Sequence, residues 1–257
     1  MLESADRVLR VLEVFHPNER DLSLSEIADR LVLPRSSVHR LLAALLTHGF
    51  VERDPTTRRY RLGIRLFEIG STAIHERGLH SAAHPVLETL ASATGETCHL
   101  AVLSGAEAVY VYKIDGSSSF SMTSRVGGRA PCHATSIGKV LMAWAGEDLF
   151  SRVVSTGLRP CTRNTLADAA ELGAELEKVR AQGYALDLEE YEEGLRCAAA
   201  PVRDHAGQVV AAIGIAGPSH RLTDGNLPGL IRSVTDAART ISRNLGYVSL
   251  EPAAVGG

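Results

Sequence analysis

The chain has 257 residues, enough for two domains that each bury a core, and its formal net charge of −3 excludes a surface coated uniformly in positive charge. No apolar run approaches the ~18 residues of a membrane helix, and no signal-peptide pattern opens the chain. Cys98, Cys132, Cys161 and Cys197 are widely spaced, without C-x-x-C or paired metal spacing, so the expectation is a cytoplasmic protein with free thiols, no metal and no cofactor.

Ser4 to Phe15 reads as a helix with Val8, Leu9, Leu12 and Phe15 inward, broken by His16-Pro17. Ser23-Leu24-Ser25-Glu26 is a capping-box pattern, so a short helix follows with Ile27, Ala28 and Leu31 inward. The tight link Val32-Leu33-Pro34 leads into a second helix, opened by Pro34 and closed by Gly49, which makes a helix-turn-helix. Val38, Leu41, Leu42 and Leu45 form its apolar stripe. At ~100° per residue, Ser36, Arg40, Ala43 and Thr47 lie on the other side, which carries no carboxylate. Flanked by Arg35, Ser37 and His39, that side suits a DNA major groove, since hydroxyls and guanidinium reach phosphates or base edges and small residues allow close approach. Taken alone, the helix fits a solvated face with a chance charge asymmetry equally well. Its surroundings favour DNA, because between Arg30 and Arg65 eight arginines face two acids. Phe50–Arg53 and Arg58–Leu62 are strands about the turn Asp54–Thr57, and this hairpin completes a winged motif. Arg58, Arg59 and Arg61 then sit near phosphates or the minor groove.

Ile64 to about Gly78 is helical again, with Leu66, Phe67, Ile69, Gly70, Ala73 and Ile74 as a broad apolar surface that could connect domains and pair with its twin in a dimer. His84-Pro85 starts another helix, running to Thr94-Gly95. From Glu96 the period changes: Thr97–Leu103 and Ala108–Ile114 are strand-like, Phe120–Ser124 a further strand, and Gly127–Pro131 a loop. Thr135–Ala145 and Ala167–Gln182 are helices, the second with Leu172, Leu176 and Val179 inward. A strand from near Tyr184 leads to Asp187 and the acidic run Glu189–Glu193, which reads as a solvated loop. Cys197–Val202 and Val209–Gly217 are strands joined by a turn at Asp204–Gly207. A last helix opens at Thr223-Asp224 and runs to Leu245, and the tail to Gly257 reads as flexible. The second half is thus an α+β domain with an antiparallel sheet flanked by helices.

Several residues of this half carry candidate chemistry. Ser136-Ile137-Gly138 opens a helix whose free amides and positive dipole end attract an anion, unless Thr135 or Ser136 caps them. Asp187 could accept from a ligand hydroxyl or cap a turn. Cys197, in an apolar strand with no dedicated histidine, reads as a small buried hydrophobe rather than a nucleophile. Cys98-His99 and Cys132-His133 do not read as metal ligands, because adjacent strand residues point to opposite faces. There is no serine nucleophile elbow, H-E-x-x-H, phosphate-cradling glycine loop or dinucleotide fingerprint. No catalytic residue is assigned. An enzyme, or a redox sensor using Cys132 or Cys197, stands as the alternative.

Four stretches in order resemble IclR-type bacterial transcriptional regulators over nearly the whole chain. They are Leu24–Ala28 with Leu33–Leu42, Gly49–Arg53 with Arg59–Gly63, His133–Lys139, and Glu193–Val202 with Ala211–Pro218. The resemblance implies a winged helix-turn-helix domain over 1–63, a linker helix over 64–78, a GAF-like effector domain over 79–248 and a flexible tail over 249–257. It implies a homodimer or tetramer on a double-stranded DNA operator, answering to a small-molecule carboxylic acid. Expected DNA contacts are Arg35, Ser36, Ser37, His39, Arg40, Thr47, Arg58, Arg59 and Arg61. The family's effector contacts map onto Ser136, Ile137, Asp187, Leu195, Cys197, Gly214 and Ala216, with Met122 on the apolar wall and Gly138 at the helix start. Family members that bind very small keto acids carry serines on the last pocket strand. Gly214 and Ala216 in their place suggest a bulkier, less polar ligand such as an aromatic acid.

Overall fold

The computed structural model describes residues 3–15, 21–75, 78–117 and 124–248. The chain divides into two compact units, Met1–Arg77 and Gly78–Gly257.

The first unit runs α1 (Glu3–Glu13), α2 (Leu24–Leu31), α3 (Arg35–Thr47), β1 (Val51–Arg53), β2 (Tyr60–Leu62) and α4 (Arg65–His75). Val11, Leu22, Ile27, Leu31, Val38, Leu42, Leu45, Val51 and Tyr60 form its core. The α1 stripe differs from expectation by one residue. Val11 is fully buried, whereas Leu9 is 60 % exposed. The inward set is Val8, Val11, Leu12 and Phe15, a strict i, i+3, i+4, i+7 series from which Leu9 is rotated by ~100°. The capping box of α2 forms as read, with Ser23 N donating to Glu26 Oε2 at 2.7 Å and Glu26 N to Ser23 Oγ at 3.3 Å. Val32 ends α2 in the left-handed region, at φ 54°, with its side chain in solvent. The β1–β2 hairpin pairs Glu52 with Arg61 and Arg53 with Tyr60. It is also stitched to the start of the helix-turn-helix, because Leu22 and Tyr60 exchange backbone hydrogen bonds of 2.8 and 2.7 Å.

The second unit is a six-stranded antiparallel sheet in the order β5-β4-β3-β8-β7-β6. Its strands are β3 (Thr97–Ser104), β4 (Glu107–Ile114), β5 (Arg129–Pro131), β6 (Ala185–Leu188), β7 (Leu195–Arg203) and β8 (Val209–Pro218). Helices α5 (Leu79–Thr94) and α9 (Leu227–Asn244) pack in a core with one sheet face. Helices α6 (Ser136–Ala143), α7 (Glu147–Ser155) and α8 (Ala169–Gln182) pack with the other. Alternate residues of β7 and β8 go to different cores: Ala198, Ala200, Ile213 and Ile215 to the first, Ala199 and Ala212 to the second. Both faces are covered, which is why these strands read as almost unbroken apolar runs.

Several expectations need correction. Helix α5 begins at Leu79, and Pro85 lies inside it. The burial of Leu79, Ala82, Ala83 and Leu87 offsets the amide hydrogen bond that proline cannot make. The supposed loop at 127–131 contains β5, whose Arg129–Pro131 pair with Glu107–Val109 at the sheet edge. Helix α7 was assigned no element, and α9 starts at Leu227 rather than at Thr223. Glu190, expected in a solvated loop, is buried. The strand expected at Phe120–Ser124 and the tail lie largely outside the described residues. Among the described residues no helix is long and apolar enough to cross a membrane, and no group of three or more His, Cys, Asp or Glu could hold a metal ion.

Candidate functional site

The first candidate site is the exposed side of α3. Burial of Val38, Leu42 and Leu45 turns Arg35, Ser36, His39, Arg40, Ala43 and Thr47 outward, while Ser37 is half-buried. No carboxylate lies on the helix. Arg35 and Arg40 have no ion pair among the described residues, so their guanidinium donors remain available. The Thr47 hydroxyl donates to Ala43 O at 2.9 Å, which leaves only its lone pairs for a partner.

The wing arginines differ from one another. Arg58 sits at the turn with φ 61°, exposed and without an ion pair among the described residues. The turn itself is built by Asp54, whose Oδ1 accepts from the amides of Thr56 and Thr57 at 2.9 and 2.7 Å. Arg61 is exposed and pairs with Glu52 at 2.9 Å. Arg59 departs from the expectation of a phosphate contact. Its Nε donates to Asp21 Oδ1 at 2.6 Å, and one terminal nitrogen donates to Glu26 Oε2 at 2.8 Å and to Asp21 O at 3.1 Å. The Leu22–Tyr60 bridge brings Asp21 alongside Arg59, so this arginine braces the wing against α2. The Ser23 amide and hydroxyl, then Arg59, hold the Glu26 carboxyl down at about 2.

The second candidate site is a cavity of about 210 Å³ in the other unit. Ser136, Ile137, Asp187, Leu195, Cys197, Gly214 and Ala216 all line it. Met122 lies outside the described residues. Gly138 does not reach the cavity. Its amide donates to Thr135 Oγ1 at 3.1 Å, and a Cβ there would fall 2.4 Å from Cys132 Cα, so glycine is required for close packing. The two amides before it, of Ser136 and Ile137, belong to the first turn and have no intrahelical acceptor, and both residues line the cavity. Gly214 serves differently from expectation too. A Cβ on it would meet Ile137 Cδ1 and Cγ1 at 2.9 Å, so the missing side chain makes room for Ile137 rather than for a ligand.

Residues with no motif of their own complete the walls: His99, Tyr110, Ser124, Arg125 and Tyr191 among them. Strand alternation was the available signal, since Cys98 enters the first core and His99 therefore faces the cavity. Burial, then Lys113, pushes the His99 imidazole down to about 4, so it is neutral and bonds Ser124 Oγ through Nε2 at 2.8 Å. Burial pushes Asp187 up to about 7 even though the Glu190 amide donates to its Oδ1 at 2.7 Å. Burial, then Asp187, raises the Cys197 thiol well above its usual value, which disarms it as a nucleophile. The lining thus combines these neutral groups with the charged Arg125, Arg129 and Glu192, and the α6 N-terminus adds a positive dipole end.

Beneath the cavity Lys139 is almost wholly buried, and its Nζ meets Glu190 Oε1 and Oε2 at 2.6 and 2.7 Å. Neither residue was singled out from the sequence. The signal would have been a lysine inside a helix that is buried along its entire length.

Comparison with known proteins follows the same two parts. A family model described as bacterial transcriptional regulator IclR C-terminal matches residues 71–243, and one described as IclR helix-turn-helix domain matches residues 4–55. The chain is 37% identical over 248 residues to the HTH-type transcriptional regulator XynR of Escherichia coli strain K12, covering 96% of this chain and 98% of that one. It superposes on the Thermotoga maritima IclR crystal structure with TM-score 0.78 at 33% identity, covering 96% of this chain and 100% of that one. An IclR homolog from Microbacterium hydrocarbonoxydans, solved in complex with 4-hydroxybenzoate, matches with TM-score 0.86 at 30% identity, covering 95% and 99%.

Proposed function

Because the chain belongs to the IclR family of bacterial transcriptional regulators, we propose that it reads a DNA operator with α3 and answers to a small organic acid held in the cavity of its second unit. The observation that carries the DNA reading is the exposed, carboxylate-free side of α3, with Arg35 and Arg40 unpaired among the described residues beside Ser36. Arg40 and Ser36 reach base edges, while Arg35, Arg58 and Arg61 hold phosphates. A cytoplasmic homodimer, or a tetramer built from it, spaces two such helices for a roughly palindromic site. The acid acts by favouring one arrangement of the assembly over another, since a ligand shifts an equilibrium only through differential affinity.

The cavity chemistry supports a monocarboxylate with an apolar, aromatic or longer-chain body. Its carboxylate meets the Ser136 and Ile137 amides, and Ile137, Leu195, His99 and Tyr110 wall the rest. The 4-hydroxybenzoate complex of the Microbacterium homolog supports the same class.

Fluorescence anisotropy on the protein's own upstream DNA, against scrambled duplex and a panel of acids, tests this reading. Arg40→Ala should remove most of the preference for the specific duplex, at a cost of about 1–3 kcal/mol. Equal loss on specific and scrambled DNA would refute groove reading. Tightest binding of glyoxylate or pyruvate, with aromatic acids inert, would refute the ligand class.

A further inference from the structure

We propose that Lys139 and Glu190 are positioning residues for the cavity: their buried ion pair ties the 189–193 segment to α6 and so holds Tyr191 and Glu192 in the cavity wall. Neither Lys139 nor Glu190 lines the cavity, so any effect they have on a ligand passes through other groups.

Lys139 lies one turn after Ser136, on the helix whose first two residues line the cavity. Its side chain is 1 % exposed, and an ammonium so buried needs an anionic partner to remain charged. Glu190 supplies both carboxylate oxygens, and Glu175 of α8 stands 3.9 Å from the same Nζ. The backbone around Glu190 is fastened from two further sides. The Glu190 and Tyr191 amides donate to Asp187 Oδ1 at 2.7 and 3.4 Å, which also orients that carboxyl in the cavity wall. Thr162 Oγ1 donates to Glu189 O, and Thr165 Oγ1 to Glu190 O, each at 2.6 Å.

The opposing tendency is written in the segment itself. Glu192 and Glu193 are adjacent, exposed like charges, and repulsion together with hydration draws them toward water, although Glu189 beside them accepts from the Gly194 amide at 2.8 Å and faces Arg196 Nε at 3.9 Å. An apolar pair in place of Lys139 and Glu190 would fill the space, but only the ion pair fixes one geometry, with a single Nζ bridging two oxygens. With the ion pair gone, the segment loses its tie to α6 and loosens between its remaining anchors at Asp187, Thr162 and Thr165. Tyr191 and Glu192 then lose their fixed place in the wall, and water reaches the half-buried Cys197, which pairs with Asp187 across β6 and β7, more freely.

The test uses the full chain and two readouts. Rates of iodoacetamide labelling at each cysteine are measured by peptide mass spectrometry, and 4-hydroxybenzoate binding is measured by calorimetry. The variant Lys139→Met with Glu190→Leu removes both charges and leaves no lone buried ion. Cys197 should label about tenfold faster, because water lowers its thiol pKa, while Cys98 and Cys132 stay as slow as in the wild type. Where the wild-type protein binds 4-hydroxybenzoate, the affinity should fall about tenfold, the equivalent of 1.4 kcal/mol. Unchanged Cys197 protection overturns the proposal, as does unchanged affinity. Cys98, Cys132 and Cys197 accelerating together also overturns it, since that pattern belongs to a core that has merely loosened. Should the double variant fail to fold, Glu190→Gln decides. It keeps an acceptor for Lys139 and should accelerate Cys197 alone by a smaller factor, and no acceleration sinks the idea. Only the affinity arm rests on the effector reading of the cavity; a wild-type protein that binds no acid would defeat that reading while the labelling arm still decides this one.

Discussion

Asp187 keeps its carboxyl almost wholly out of water, and the ionised form suffers for it. Between its unfolded value and about 7, the folded chain holds a proton that the unfolded chain has released. Stability therefore falls as pH rises through that window and flattens above it. Thermal melts should show the second unit losing roughly 2–3 kcal/mol between pH 5 and pH 8. Asp187→Asn, which can still accept from the Glu190 and Tyr191 amides, should reduce that slope. A variant as pH-dependent as the wild type would show that Asp187 is not the group responsible. At the same scale Arg59 and Arg58 should separate in salt titrations of DNA binding. Arg59 already spends its donors on Asp21 and Glu26, so Arg59→Ala should leave the salt slope intact and lower the melting temperature of the first unit only slightly, given the partial exposure of all three groups. Arg58→Ala should reduce the slope by about one. A slope lost with Arg59 and kept without Arg58 would reverse the assignment.

Among the elements, the turn between α2 and α3 holds an avoidable cost. Val32 takes φ 54° although it is β-branched and 88 % exposed, so its side chain returns almost nothing in packing. The left-handed conformation costs roughly 1–2 kcal/mol for such a residue, against ~0.5–1 kcal/mol for the greater unfolded-state freedom of glycine. Val32→Gly should therefore raise the melting temperature of the first unit by a few degrees. A lower one would mean that this turn relaxes in solution. Elements like α2 and α3 were legible in the sequence because their determinants are local: a capping box, a 3.6-residue stripe, a closing glycine. Strand β5 was not, since three residues become a strand only through Glu107–Val109 beside them. The α5 start was hidden for a related reason, because Pro85 is tolerated through packing that only the folded unit supplies.

Over the whole molecule, the order of the parts was written in the chain, and so were the seven cavity residues carried over from the family. Contacts between distant segments were not. Lys139 and Glu190 are 51 positions apart, and nothing in an acidic run says which of its members turns inward. His99 and Tyr110 reach the cavity because β3 and β4 pair in one particular register. Arg59 looked like a free cation until Asp21 arrived beside it through the Leu22–Tyr60 bridge.

That bridge has a mechanical corollary. With Leu22 sewn to Tyr60 by two backbone hydrogen bonds, the hairpin cannot pivot independently of the helices that precede it. On the proposed DNA reading, the distance from the bases under α3 to the backbone under Arg58 is then a constant of the fold, like the gap between the jaws of a fixed wrench. In the proposed homodimer, tolerance for half-sites of different separation then resides in whatever joins one copy to the next, because none is left inside the first unit.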